Sequence, residues 1–309
     1  MSTLNTAGLI QSGWVRYAHA ACAVLVLYEH FLQLDNEIEL FWKKRWTLAK
    51  ILFLWCRYFS LVLNITDAVV FLGPKPSHTV SRRFFHWQNA GAGIQVLLTH
   101  LILQLRLYAM YSSARKMLIF FIFLSTAETV ILGVNGALGL ADPKRITTNE
   151  PFPGVFICAN GEPVGGDHWV VYFYITVLTV EGILLLLALR KAWQYRSCVG
   201  GSTLMQQLTR ESAIYFFMIF WIYLANLIIW LSNRITLNEL GVPFSFAFSS
   251  IFANRLLIGV RTAYYGTSRD LDDTYHTPIY FSSAISTIST RGRVQERIEL
   301  QTFNERIGA

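Results

Sequence analysis

The sequence predicts an all-α integral membrane protein, a bundle of seven transmembrane helices with a receptor-like layout and the N-terminus outside. Three observations predict this class. Hydrophobic residues make up 53% of the chain and charged residues only 15%, whereas a soluble domain carries about 25% charged residues. Several apolar runs reach the roughly 20 residues that cross a bilayer core. Lys and Arg are concentrated on alternate connections between these runs.

The apolar runs predict the spans in order. Each is too long and too continuously apolar to be a strand, and a backbone in lipid must pair its polar groups internally. The first contains "YAHAACAVLVLY", the second "ILFLWCRYFSLVLNITDAVVFL", the third "GAGIQVLLTHLILQL" and the fourth "MLIFFIFLSTAETVILGV". The last three contain "WVVYFYITVLTVEGILLLLAL", "AIYFFMIFWIYLANLIIWL" and "FSFAFSSIFANRLLIGV". The predicted spans are 15–34, 47–72, 84–111, 117–140, 169–190, 212–232 and 244–262.

The connections between the spans predict the orientation. With the N-terminus outside, the inner connections and the C-terminal segment hold 15 Lys and Arg residues and the outer side holds 7. Restricting the comparison to short connections leaves 9 against 4. This bias predicts that the first connection, "DNEIELFWKKRW", lies in the cytosol with its charges solvated. The spans define a membrane domain, 14–265, and the Ser- and Thr-rich segment 266–309 is expected to be a mobile cytosolic tail.

Charged residues inside the predicted spans form a candidate buried charge cluster. Charge is costly within a bilayer, so each such residue is expected to be paired or functional. We expect Glu29 and Glu181 to neutralise Arg57 or Arg255, with a switch or a proton path as the alternative. The hypothetical cluster consists of Glu29, Arg57, Arg106, Glu128, Glu181 and Arg255.

The sequence lacks the motifs of catalysis. It contains no HExxH or CxxC spacing and no GxSxG, and the seventh predicted span has no lysine for a Schiff base. We therefore expect no enzyme activity, no cofactor and no metal site. The net charge of +7 fits membrane-flanking loops, so no nucleic-acid partner is expected. Cys158 is predicted to be an outer thiol that is either unpaired or joined to another chain.

A resemblance covers the N-terminal part of the chain. The stretches "LYEHFLQLDNEIELFW", "KKRWTLAKILFL" and "RYFSL" resemble the N-terminal module, here 17–62, of a fungal membrane family known mainly from basidiomycetes. The family carries domain of unknown function 6533. The stretches "LILQLRLYAMY" and "NRLLIGVRTA" extend the likeness downstream. The resemblance implies seven membrane helices and no assigned activity.

The layout favours a receptor-like signalling protein in the lipid bilayer, in the plasma membrane or an endomembrane. A cytosolic signalling partner is expected to contact Arg106, Arg115 and Lys116. One alternative is a transporter or proton-coupled carrier that uses Glu29, Arg57, Glu128 and Glu181. Another is a membrane scaffold that only assembles with other proteins.

Overall fold

The computed structural model describes most of the chain as helix. The described residues are 2–43, 46–73, 78–111, 115–141, 146–152, 155–161, 168–197, 203–232 and 234–276. The helices are α1 (Ser2–Leu32), α2 (Leu34–Glu37), α3 (Leu48–Leu72), α4 (His78–Met110), α5 (Arg115–Ala141), α6 (Trp169–Ser197), α7 (Thr203–Leu231) and α8 (Val242–His276). A π-helical turn, Ile38–Trp42, follows α2.

Six of these helices are long and apolar enough to cross a membrane, so the chain is a multi-pass helical membrane protein. Their apolar spans are Leu48–Leu72, Thr79–Met110, Arg115–Gly139, Trp169–Gln194, Ser212–Leu231 and Val242–Thr262. Each matches one predicted span, from the second to the seventh. Helix α1 covers the first predicted span but is not among the six within the described chain. It also begins well before residue 15, because a polar segment continues the helix toward the N-terminus.

The connection between α5 and α6 contains a feature that the sequence analysis did not predict. Strands β1 (Ile146–Phe152) and β2 (Val155–Gly161) pair antiparallel, with an irregular register. The backbone of Cys158 lies opposite that of Thr148. The side chain of Cys158 lies outside the described part of the structure, so its pairing stays a prediction.

The bundle has two ends. The hairpin end holds β1, β2 and the connection 234–241 between α7 and α8. The basic end is the opposite end of the bundle, where Lys43, Arg115 and Arg190 lie. Helix α1 runs between these ends: Gln11 contacts Thr236 and Arg16 donates to the Leu72 carbonyl at 3.2 Å, while its last turns meet α3 and α8 near the basic end.

The apolar core lies between α4, α5, α6 and α7. Fully buried leucines from two of these helices, Leu103, Leu107 and Leu184, pack with Phe216 of α7. Large apolar side chains also cover the outer surface, such as Phe123 at 70% exposure and Leu186 at 68%. An exposed apolar surface of this kind suits contact with lipid.

The C-terminal helix is longer than its predicted span. Helix α8 continues to His276, which includes the first residues of the predicted tail 266–309. From 277 onward the predicted tail lies outside the described residues.

Candidate functional site

Two oppositely charged residues join the first and last helices near the basic end. Arg255 of α8 donates from Nε to Oε1 of Glu29 at 2.7 Å and from Nη2 to Oε2 at 2.9 Å. Gln33 adds a hydrogen bond to the same carboxylate at 2.9 Å. A two-point contact between guanidinium and carboxylate fixes both distance and orientation. The expected neutralisation of Glu29 by an arginine is thus present, and the partner is Arg255.

A second ion pair, buried on both sides, joins α2 to α3. The Nε atom of Arg57 lies 2.7 Å from Oε2 of Glu37, and the side chains are 5% and 0% exposed. Trp42 and Tyr58 donate to the other carboxylate oxygen at 2.8 and 3.0 Å. Arg57 also donates to the His30 carbonyl at 2.7 Å. The expectation that all the charges of this connection are solvated is therefore wrong for Glu37.

Contacts from α8 hold the segment that follows Glu37 against the bundle. After α2 the chain enters a π-helical turn, a form often found at functional positions. Arg261 of α8 donates to the Leu40 carbonyl at 2.6 Å and to the Thr47 hydroxyl at 2.8 Å, and it lies 4.0 Å from the centre of the Phe41 ring. The Thr47 hydroxyl also caps α3 by accepting from the Lys50 amide at 3.3 Å. The connection is therefore held at both of its ends.

These two ion pairs form one compact unit, the inner charge group, defined as Glu29, Glu37, Arg57 and Arg255. A small cavity of about 20 Å³ is lined by Glu29, Arg57 and Arg255. That volume accommodates about one water molecule. Two carboxylates and two guanidinium groups balance in charge, so the group is suited to structural attachment of α1 and α2 to α3 and α8.

The three residues of the proposed partner face do not all lie on the surface. Arg106 is 6% exposed, and its Nε donates to the Ser212 hydroxyl at 3.1 Å. Arg115 and Lys116 are exposed at the start of α5. Arg106 therefore links α4 to α7, and only Arg115 and Lys116 of the three lie on the surface at the basic end.

The remaining charges of the predicted cluster meet around a histidine. Nδ1 of His100 lies 2.5 Å from Oε1 of Glu128, and Nε2 lies 2.9 Å from Oε1 of Glu181. We call these three residues the His100 triad; they come from α4, α5 and α6, and their side chains are at most 2% exposed. Within the described chain no group of three or more His, Cys, Asp or Glu residues is arranged to hold a metal ion.

A pocket of about 100 Å³ opens at the hairpin end between α4, α5, α6, α7 and α8. We call it the hairpin-end pocket. Its apolar wall is mainly aromatic and its polar groups are few, the composition typical of small-molecule sites. The aromatic lining is Trp169, Phe173, Tyr174, Tyr223, Trp230 and Phe246, and the polar lining is Gln88, Asn89, Asn135, Asn160, Glu239 and Ser245.

One edge of the pocket carries linked carboxylates. Gln88 donates from its amide to Glu239 at 3.1 Å and to Asp67 at 3.3 Å. His19 of α1 lies 3.9 Å from the same oxygen of Asp67 and stacks on Phe71 at 4.0 Å. The amide of Gln88 thus bridges the buried carboxylates of Asp67 and Glu239. A ligand that contacts this edge of the pocket would meet hydrogen-bond acceptors, so the edge favours a ligand that donates hydrogen bonds.

The His100 triad lies just beneath the hairpin-end pocket. Val96 lines the pocket and is four residues before His100 on α4; Leu132 lines it and is four residues after Glu128 on α5. Four helical residues span about 6 Å. The two sites therefore share helices and are separated by about one turn.

The six residues of the predicted charge cluster fall into three separate groups in the structure. Glu29, Arg57 and Arg255 belong to the inner charge group, Glu128 and Glu181 to the His100 triad, and Arg106 to a separate contact. The expected pairing of Glu181 with Arg57 or Arg255 is wrong, because its partner is His100. Sequence reasoning missed His100 and Glu37 as partners. An isolated histidine in an apolar run was the only available signal for His100, and Glu37 was hidden among solvated charges.

Residues 17–62 match a family of unknown function, DUF6533. The matched segment includes Glu29, Glu37 and Arg57, three of the four members of the inner charge group. A comparison with curated proteins gives no match. The family similarity thus coincides with a structural unit and carries no assigned activity.

Proposed function

We propose that this chain is a receptor-like membrane protein with seven crossings, which binds a small ligand in the hairpin-end pocket. The observation that carries the proposal is the pocket itself: five helices wall it, its lining is aromatic, and its polar edge is formed by Gln88 and Glu239. A site of this composition binds the apolar body of a ligand and orients it through a few hydrogen bonds.

The seventh crossing is supported by the placement of α1. This helix packs against α3 and α8 and extends from contacts at the hairpin end to the Glu29–Arg255 pair near the other end. One side is buried at Val15 and Val26, while Tyr17 and Val24 are 75% and 65% exposed. An apolar exposed face on a bundle helix fits lipid contact. The polar residues that pack inward, His19 and Glu29, lower the average hydropathy of α1.

The orientation is supported by the distribution of basic residues. Lys43, Arg115 and Arg190 lie at the basic end, and positive residues favour the cytosolic side of a membrane. The hairpin end, with its pocket, then faces outward. The similarity of 17–62 to DUF6533 is compatible with this arrangement, and fungal origin stays a prediction of the resemblance.

The surface that we propose for a cytosolic partner contains fewer residues than the sequence suggested. Arg115 and Lys116 are exposed at the basic end and form the surface that we propose for a signalling partner. Arg106 would contribute only after its contact with Ser212 is broken. Proximity labelling from the basic end should recover the same partner with the native chain and lose it with Arg115→Glu and Lys116→Glu together; a partner retained by that variant would contradict this surface.

A proton-coupled carrier is less well supported. In the structure Glu29 and Arg57 are each bound to an opposite charge, and of the four residues named for a carrier only Glu128 and Glu181 share a partner. We therefore propose binding and signalling, without catalysis, as the function. Proton flux in proteoliposomes that responds to pH or membrane potential would favour the carrier instead.

The ligand site can be tested with three probes that share a ring and differ in charge: benzylamine, benzyl alcohol and benzoate. Thermal stability of the full chain in lipid nanodiscs is measured with each probe. Benzylamine or benzyl alcohol should stabilise the protein, since a ligand at 100 times its Kd contributes about 2.7 kcal/mol. Benzoate, which only accepts hydrogen bonds, should have the smallest effect.

Two glycines on α5 supply matched variants. Gly136 lines the pocket and Gly133 does not, and an added Cβ would meet no atom within 4 Å at either position. Gly136→Leu should abolish the stabilisation by the probe, while Gly133→Leu should retain it. A proposal based on the pocket fails if none of the probes stabilises the native chain, or if both variants respond like the native chain.

A further inference from the structure

The His100 triad contains more hydrogen-bonding capacity than its three members use on one another. Each nitrogen of the His100 ring faces one carboxylate oxygen, at 2.5 Å for Glu128 and 2.9 Å for Glu181. The second oxygens, Oε2 of both glutamates, are buried and have no hydrogen-bond partner among the described residues. A buried carboxylate oxygen without a partner is costly, so these two atoms are places where a further proton could be bound.

The two contacts of the His100 ring fix how many protons the triad holds. Each contact is a hydrogen bond only if one proton lies between nitrogen and oxygen, so two protons are needed for both. With two protons the triad carries a net charge of −1, whichever atoms hold them. A third proton on Oε2 of either glutamate makes it neutral. Removing one of the two instead leaves a nitrogen lone pair facing a carboxylate oxygen, which breaks one contact.

The surroundings do not compensate the negative charge. His100 is the ion-pair partner of both carboxylates within the described chain. The titratable group that faces the triad from α7 is Tyr223, which interacts electrostatically with Glu181 and Glu128. Tyr223 in turn interacts with Cys56 of α3 and with the hydroxyl of Ser249 of α8. None of these groups carries a positive charge, so protonation is the available means of neutralisation in a low dielectric.

The triad also connects helix α5 to its neighbours α4 and α6. Helix α5 is the least buried of the six candidate spans. Its side-chain hydrogen bonds to α4 come from two positions in the described chain, Ser125 to Gln104 at 2.6 Å and Glu128 to His100. Leu132 and Gly136 of the same helix line the hairpin-end pocket. Loss of the contact with Glu128 would therefore loosen the wall of the pocket that α5 provides.

We infer that the His100 triad is a proton-binding site within the membrane core, and that its protonation sets how firmly α5 is held against α4 and α6. Uptake transfers one proton from water to a carboxylate oxygen of Glu128 or Glu181 and forms one O–H bond. Release returns that proton to water. The ligand of this site is the proton itself, so the inference stands whether or not a small molecule binds in the hairpin-end pocket.

Infrared difference spectroscopy of the full chain in lipid vesicles tests proton binding directly. Spectra are compared between about pH 5 and about pH 8, the interval around the ordinary histidine pKa. We expect the carbonyl stretch of a protonated glutamic acid to change between the two conditions and to shift when glutamate is labelled with carbon-13. The band should be lost in Glu128→Gln or Glu181→Gln and retained in Glu29→Gln, which removes a carboxylate outside the triad.

Two results would overturn the inference. One is a carbon-13-labelled native chain in which no glutamic acid changes protonation across this interval; this measurement needs no substitution and decides the question even if a triad variant does not fold. The other is a band that disappears in Glu29→Gln and persists in both triad variants.

Hydrogen exchange measured by mass spectrometry tests the consequence for α5. Exchange is compared for peptides from α5 and α8 at the same two pH values, so that the intrinsic effect of pH on exchange cancels in the ratio. The ratio of α5 to α8 exchange should shift in the native chain and in Asp35→Asn, which changes an exposed carboxylate outside the triad, and the shift should be lost in Glu128→Gln. An unchanged ratio in the native chain would contradict the link between the proton and α5.

Discussion

Arg57 is bound to Glu37, with 2.7 Å between Nε and Oε2, and not to Glu29. Both side chains are almost completely buried. Glu37 belongs to the charged connection between α1 and α3. Its ion pair with Arg57 holds part of that connection against α3. The described part of the first connection is therefore an ordered structural element, and it lies inside the segment that matches the family of unknown function.

Removing Glu37 should destabilise the protein strongly. Glu37→Gln leaves Arg57 buried without its opposite charge, and breaking one partner of a buried pair costs about 3–5 kcal/mol. Unfolding in mixed detergent micelles measures the loss. Asp35→Asn, an exposed carboxylate on the same helix, should change stability by no more than about 0.5 kcal/mol.

The double variant Glu37→Gln with Arg57→Gln should recover part of that stability. It strands neither charge, so its cost should be smaller than that of Glu37→Gln alone. Pairing of Glu37 with Arg57 would be disproved by a double variant that is no more stable than the worse single variant.

Arg261→Lys should loosen the first connection. The guanidinium of Arg261 donates to Leu40 and Thr47 and lies over the Phe41 ring, whereas an ammonium cannot reproduce this planar two-point contact. We expect a loss of about 1–3 kcal/mol and faster proteolysis between residues 33 and 47. Arg210→Lys, at an exposed position on α7, is the control; equal proteolysis in both variants would contradict the assigned role.

Substitution by alanine should change the stability of the protein in opposite directions at two nearby glycines of α4. A Cβ at Gly91 would lie 2.5 Å from Cδ2 of Leu63, a fully buried residue of α3, whereas one at Gly93 would meet nothing within 4 Å. Gly91→Ala should therefore cost about 1–3 kcal/mol through overpacking. Gly93→Ala should stabilise the helix by about 0.5–1 kcal/mol.

Thermal unfolding of both glycine variants checks this difference. The additional substitution Leu63→Val should relieve part of the cost of Gly91→Ala, because it shortens the side chain that the new Cβ meets. Equal stability of Gly91→Ala and Gly93→Ala would show that α3 and α4 are not in close contact at this level.

The sequence was sufficient to predict the spans but not their contacts. Hydropathy identified the segments of α3 to α8 within the membrane because lipid imposes a length and a composition on each crossing. It did not predict that α1 begins at Ser2 or that β1 and β2 pair, since polar segments carry no such constraint. The extension of α8 to His276 was missed for the same reason.

The partners of the buried charges could be predicted only in general terms. A charge within a span needs a partner, and this rule anticipated the role of Glu29. The identity of that partner, Arg255, depends on how helices separated by 226 positions pack together. His100 illustrates the same limit: Glu128 and Glu181 reach it from two other helices, so no spacing along the chain marks the triad.

Thiol accessibility at two alanines of α4 tests the orientation of the bundle and its pocket most directly. Ala92 lines the pocket, and Ala109 lies near the basic end, about 25 Å away along the helix. Each is replaced by Cys in a chain with Cys158→Ser and Cys198→Ser, while the buried Cys22 and Cys56 are retained. Intact cells are then treated with a methanethiosulfonate that cannot cross membranes.

We expect the thiol of Ala92→Cys to react in intact cells, and the thiol of Ala109→Cys to react only after the membrane is permeabilised. Reaction of Ala109→Cys alone in intact cells, or of both thiols from the same side, would contradict an outward-facing pocket.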